Sequence, residues 1–260
     1  MVVTTAIATT APTCSAVSRL ATVAKVTELP KYVGFVKGCQ STASMKVEIW
    51  SDVVCPWCYI GKRRFESALE RFDHRGDVEV EFRSFELNPN ANAAEQGNLE
   101  EALARKYGMS LEQAHALHAR VIETAAGEGL QYRLDIARRG NTFDAHRLLH
   151  LAATLGLQGA MKERLLAAYF TEGKPIGDHD TVVELAAEVG IDADRARTVL
   201  AEGSFGEQVR EDEREATELG ITGVPFFVIN RRYGVSGAQP PELMLKALMA
   251  GWESSETAES

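Results

Sequence analysis

The chain has 260 residues, 45% of them hydrophobic and 25% charged, an ordinary globular composition with enough apolar material for a substantial core. Its formal charge of -9 argues against a nucleic-acid partner, which would need clustered Lys and Arg; the one basic run, Lys62-Arg63-Arg64, reads as a solvated helix face. No stretch of roughly 18 apolar residues is present to span a membrane.

Residues 1–44 are rich in Ala, Thr, Ser and Val and hold one acid, Glu28, beside Arg19, Lys25, Lys31 and Lys37. That balance loosely resembles a transit peptide, but no charged leader precedes a compact apolar block, so a secretory signal is not indicated. The segment reads as a disordered extension or as a start assigned upstream of Met45, where a strand pattern begins at once. Without an export signal, the expected location is cytoplasmic.

Val47-Glu48-Ile49-Trp50 predicts a strand, and Phe65, Ala68, Leu69 and Phe72 follow helical spacing after it. Val78, Val80 and Phe82 alternate with Glu79, Glu81 and Arg83 in a second strand that ends near Phe85, and residues 86–98 carry loop composition. From 98 to 201 only helical periods occur. Ser110 with Gln113 predicts a capping box ahead of Leu111, Ala114, His118, Val121, Ile122 and Ala125. Ala145, Leu148, Leu149, Ala152 and Leu155 form the next stripe, then Met161, Leu165 and Ala168, then Val182, Leu185, Ala186 and Val189 behind a Thr181/Glu184 capping pair. Phe205, Val209, Ala216 and Leu219 predict a helix ended by Gly220. Pro225-Phe226-Phe227-Val228-Ile229 and then Tyr233 and Val235 predict a hairpin, and Pro240-Pro241 opens a last helix with Met244, Ala247 and Leu248 inward. The order is βαβ, helical block, αββα. It divides the chain into an N-terminal part (45–97), a helical insertion (98–201), a C-terminal part (202–252) and a frayed polar tail (253–260).

The chemistry concentrates at Cys55-Pro56-Trp57-Cys58, where the first strand gives way to the first helix. Two cysteines one turn apart can join in a disulfide, while unpaired N–H groups and the helix dipole stabilise the outer sulfur as thiolate. Cys55, at the helix edge, is the expected nucleophile and Cys58, one turn inside, the resolving thiol. Pro56 suits a helix start and Trp57 adds a flat, uncharged surface. The alternatives are half a zinc site and an inert buried dithiol; Cys14 and Cys39 lie in the doubtful extension, and no second cysteine pair of that spacing completes a zinc set, so no metal is expected. Far away, Thr222-Gly223-Val224-Pro225 sets a proline directly before a strand, either as an edge-strand residue or as a cis peptide.

The pair Cys55-Pro56-Trp57-Cys58 and Thr222-Gly223-Val224-Pro225, flanking a helical insertion, resembles the DsbA superfamily. More narrowly, the runs from Ser51 to Gly61, Phe143-Asp144-Ala145-His146-Arg147-Leu148 and Val235-Ser236-Gly237-Ala238-Gln239 resemble its FrnE-like branch. The resemblance covers about residues 45 to 250 and implies an α/β thioredoxin fold with a large all-helical insertion. It implies that Val224-Pro225 is cis beside the dithiol, that the Val224 backbone binds substrate together with Pro56, Trp57 and Pro225, and that His146 and Gln239 face the cleft. DsbA proper carries a histidine between its cysteines; Trp57 takes that place here, which implies a less acidic thiol and a less oxidising couple.

The expected activity is thiol–disulfide exchange in the reducing or isomerising direction, on protein or small-molecule disulfides. No bound cofactor is expected beyond a redox-active Cys55–Cys58 disulfide, with glutathione or thioredoxin as electron donor. The competing reading is a glutathione-dependent isomerase or transferase of the 2-hydroxychromene-2-carboxylate isomerase or kappa-class type, in which a serine stands at the place of Cys55. A peptide-binding chaperone is the third. Monomer and homodimer are both open.

Overall fold

The computed structural model describes residues 27–28, 44–95 and 98–256. Cys14, Cys39 and nearly all of the segment expected to be an extension or an upstream start lie outside them. Thr27–Glu28 is the exception, forming a two-residue strand, β1. The sheet proper has four strands: β2 (Met45–Ser51), β3 (Val78–Ser84), β4 (Phe226–Ile229) and β5 (Tyr233–Ser236). Their order with β1 is β1-β5-β4-β2-β3, with β2 and β3 parallel and the other pairings antiparallel. This is the α/β thioredoxin fold that the resemblance implies, with a mostly helical insertion.

Alternation along β2 divides it between two layers. Met45, Val47 and Ile49 pack with Phe227, Ile229 and Val235 of the hairpin against α1 (Pro56–Glu70), through Phe65 and Ala68, and against α9 (Pro241–Glu256), through Met244, Ala247 and Leu248. On the other face Trp50 meets Ala216 and Ile221, and the buried Glu48 is paired with Arg83 and Arg231. The last helix continues to Glu256, so the first four residues of the expected polar tail are helical.

The insertion comprises α2 (Leu99–Tyr107), α3 (Leu111–Gly127), α4 (Phe143–Ala153), α5 (Gln158–Phe170), α6 (His179–Glu188) and α7 (Ala193–Glu202), followed by α8 (Gly206–Glu218). Ser110 and Gln113 form the expected reciprocal capping box. The cap of α6 is Asp178, which accepts from the Thr181 N–H; Thr181 lies inside the helix because an aspartate three residues earlier captures its free N–H. The α4 and α5 stripes form the centre of a second core, which also takes in Val53, Tyr59 and Ile60. The two cores meet on α1.

Candidate redox site

β2 runs straight into the dithiol. Cys55 occupies the N-cap of α1 with extended backbone angles, Pro56 follows at the first helical position, and the Cys58 N–H donates to the Cys55 carbonyl at 3.0 Å. Pro56 fits because that position has no intrahelical use for an N–H. Both cysteines are buried free thiols, whereas Trp57 between them is 40% exposed. Tyr132, from the insertion, donates its hydroxyl to the Pro56 carbonyl at 2.7 Å; burial first, and then the two sulfurs, push that phenol's pKa far above its ordinary value.

The distant proline arrives at the same place. The Val224–Pro225 peptide is cis, and the Cys55 thiol donates to the Val224 carbonyl at 3.5 Å. Gly61 makes room for this loop, since a Cβ there would sit 2.8 Å from Pro225 Cγ. Gly237 N–H donates to the Pro225 carbonyl at 2.8 Å. Gln239 is half-buried and folds onto its own loop, its Nε2 donating to the Ser236 carbonyl at 2.6 Å.

The basic run does not form a solvated face. Lys62 is 7% exposed and bonds Glu66 and Glu163, Arg63 shares both carboxylates, and Arg64 reaches Glu128 and the Ala238 carbonyl. Helical spacing turns these residues toward α3, α5 and the loop after β5, where carboxylates and a carbonyl await them.

Beneath the sulfurs lies a polar floor that sequence reasoning missed. Asp52 is fully buried; it accepts from the N–H groups of Val53 and Leu87, and its Oδ1 is 3.3 Å from His146 Nε2. Burial opposes its charge, but the His146 contact and the Leu87 N–H outweigh burial and lower its pKa. His146 is therefore a buried partner of Asp52 and has no exposed edge to line an open cleft, because its side of α4 is the side packed into the core. Its Nδ1 has no hydrogen-bond partner. Lys162 of α5 is also fully buried, donates to the Ser51 carbonyl at 3.1 Å, and has its pKa pushed down to about 8 by burial, against the attraction of Cys58 and Asp52.

This floor also acts on the dithiol. Burial works against a Cys58 thiolate, but the hydrogen bond from Cys55, the charge of Lys162, the Ser51 hydroxyl and the Asp52 N–H together lower its pKa. The hydrogen bond with Cys58, followed by burial, raises Cys55 well above an ordinary thiol. Contact between the two thiols thus pushes their pKa values apart, Cys55 up and Cys58 down, with residues at and just past the end of β2 and on α5 contributing to the Cys58 shift. Among the described residues no group of three or more His, Cys, Asp or Glu is placed to hold a metal ion, and no helix is long and apolar enough to cross a membrane.

Residues 46–249 match the DSBA-like thioredoxin domain family. The chain belongs to that family. Among solved DsbA-family structures, that of the "probable DsbA oxidoreductase SCO1869" from Streptomyces coelicolor is 49% identical, with a TM-score of 0.77 over 80% of this chain and 90% of the other. The cytosolic disulfide reductase DsbM of Pseudomonas aeruginosa, solved with glutathione, shares the fold at 19% identity and a TM-score of 0.56, over 79% of this chain and 98% of its own. YwbO, an uncharacterised protein of Bacillus subtilis, is 27% identical over 207 residues, covering 79% of this chain and 96% of its own.

Proposed function

We propose that the protein is a thiol–disulfide oxidoreductase of the FrnE-like branch that acts as a reductase or isomerase, Cys55 attacking and Cys58 resolving. The observation that carries this reading is the juxtaposition of an unpaired dithiol at a helix N-terminus with the Val224 carbonyl of a loop some 170 residues away in sequence. A substrate cysteine laid along Val224, beside Pro225, Pro56 and the exposed ring of Trp57, would bring its disulfide to Cys55.

With Cys58 holding a proton, the Cys55 thiolate attacks a substrate sulfur and expels the other as thiolate. Cys58 then attacks the Cys55 sulfur, giving up its proton as the first-bound sulfur leaves. The dithiol loses two electrons and the substrate disulfide gains them; two glutathione thiols, oxidised to their disulfide, or reduced thioredoxin, restore the dithiol. Trp57 puts no cation between the cysteines, which favours reduction or reshuffling in a thiol-rich compartment such as the cytoplasm.

Insulin reduction with glutathione as donor tests the assignment. Cys55→Ser is expected to fall to background, a loss of more than ~100-fold, since a hydroxyl does not replace a thiolate. Cys58→Ser should accumulate mixed disulfides through Cys55, which mass spectrometry would identify. Full activity in Cys55→Ser would remove the exchange reading, and glutathione conjugation surviving in that variant would favour the transferase.

A further inference from the structure

We propose that Tyr132, carried by the helical insertion, is a positioning residue for the resolving step: its hydroxyl holds the first turn of α1 closed through the Pro56 carbonyl, keeping Cys58 within reach of a mixed disulfide on Cys55. The inference rests on the exchange reading above and concerns its second half.

The Pro56 carbonyl belongs to the stretch of backbone between the two sulfurs, and the Tyr132 hydroxyl donates to it at 2.7 Å. A helix carbonyl accepts the N–H four residues on and keeps a second lone pair free, so an outside donor can be added without breaking the helix. First turns are the weak end of a helix, because their N–H groups lack intrahelical partners and the chain frays there. In α1 the usual supports are missing. Cys55 makes no side-chain cap, the first turn carries no acidic residue, and the turn is closed by the Cys58 N–H donating to the Cys55 carbonyl at 3.0 Å. Opening that turn would carry the two cysteines apart.

The donor itself is held rigidly. Tyr132 is buried, and its ring stacks on Phe170 of α5 with centroids 4.6 Å apart and planes at 20°. The residues on either side of it are tied to the end of the same helix. Thr171 donates its hydroxyl to the Gln131 carbonyl at 2.8 Å, and the Arg133 N–H donates to the Phe170 carbonyl at 2.6 Å. The insertion therefore presents a fixed hydroxyl to a turn that has no cap of its own.

In the resolving step Cys58 attacks the Cys55 sulfur of the mixed disulfide. The Cys55–Cys58 bond forms, the bond to the outer sulfur breaks, and the outer thiol leaves with the proton that Cys58 gives up. This is a ring closure across residues 55–58, and holding the turn raises the effective concentration of one sulfur at the other. The first attack, by Cys55 on an external disulfide, closes no ring and should not depend on the hydroxyl.

The test equilibrates the full chain with glutathione and its disulfide, quenches with acid, and measures by intact mass the dithiol, the glutathione mixed disulfide and the internal disulfide. Tyr132→Phe keeps the stack on Phe170 and removes the donor alone. At fixed glutathione the ratio of internal to mixed disulfide should fall about fivefold, the effect of one hydrogen bond between neutral groups. In a Cys58→Ser background the same change should leave the rate of mixed-disulfide formation as it was. An unchanged ratio in folded Tyr132→Phe would overturn the proposal. So would equal slowing of the first attack, which would assign the hydroxyl to packing in general. Should Tyr132→Phe not fold, Thr171→Val takes its place, since it loosens the segment bearing Tyr132 without touching the dithiol. A fall of about twofold in the same ratio is then expected, an exposed bond contributing less, and no fall would overturn the proposal. Absence of any mixed disulfide on Cys58→Ser would remove the exchange reading and this inference with it, whereas a normal first attack with an unchanged ratio removes this inference alone.

Discussion

The two faces of α1 are held by opposite kinds of force. Toward the sheet, Phe65, Ala68 and the following Phe72 are buried among apolar side chains, with the Phe65 and Phe227 ring centroids 5.5 Å apart. Toward the insertion, Tyr59 stacks near Tyr132 and Phe170, while Lys62, Arg63 and Arg64 bond carboxylates on α1 itself, on α5 and just past the end of α3. Apolar burial is non-directional and stabilises without fixing rotation. Paired charges give up hydration, offset it only with good geometry, and so contribute orientation more than stability. The difference teaches that the sheet anchors the helix, whereas the insertion aims the turn that carries Cys55 and Cys58.

The largest expected effect lies on the apolar face. Phe65→Ala should cost about 3 to 5 kcal/mol, from lost burial and the cavity left behind, measured as a shift of the urea midpoint at unchanged m-value. A loss below about 1 kcal/mol would show that the sheet face does not anchor the helix.

The charged face should respond to pH as well as to mutation. Burial opposes the Glu163 carboxylate, but hydrogen bonds from Arg63, Lys62 and Tyr59 prevail and bring its pKa down to about 2. A carboxylate whose folded pKa is depressed contributes stability that is present above its unfolded pKa of 4.5 and is lost as pH falls toward 2. Glu163→Gln should therefore cost about 1 to 3 kcal/mol at neutral pH, because it leaves the buried Lys62 with Glu66 alone. It should also flatten the decline in stability between those two pH values. The double variant Lys62→Met/Glu163→Leu sharpens the contrast: if the pair orients more than it stabilises, the double variant should be nearly as stable as the parent, yet slower in insulin reduction. Equal slopes for parent and Glu163→Gln would place the acid sensitivity elsewhere.

The two faces were not equally legible in sequence. Phe65, Ala68 and Phe72 declare themselves by period, as do the α4 and α5 stripes and the β4–β5 hairpin, because apolar burial leaves a repeating pattern along the chain. The dithiol was legible from spacing, and Val224-Pro225 acquired meaning only through resemblance. Lys62, Lys162 and Asp52 were not legible. Each is a charged residue whose burial depends on a partner about 100 residues away, or on backbone groups of another element, and period assigns such residues to solvent. The N-terminal aspartate of α6 was missed for a smaller reason, since Thr181 with Glu184 mimics a cap one turn too late.

The smallest expected effect isolates one hydrogen bond within the charged face. The Tyr59 hydroxyl donates to Glu163 Oε1 at 2.6 Å and lies 3.3 Å from Arg63 Nη2. Tyr59→Phe keeps the ring packing against Tyr132 and Phe170 and removes only the donor, and the carboxylate retains Arg63 and Lys62. A bond to a charged acceptor contributes about 1.5 to 3 kcal/mol, but this acceptor keeps its other donors, so the expected cost is about 1 kcal/mol. Because the lost donor helps hold Glu163 ionised, the same variant should raise the pH at which acid destabilisation begins. A drop in stability with no movement of that onset would mean that the hydroxyl acts through packing, and the pH sensitivity of the insertion face would then rest on Lys62 and Arg63 alone.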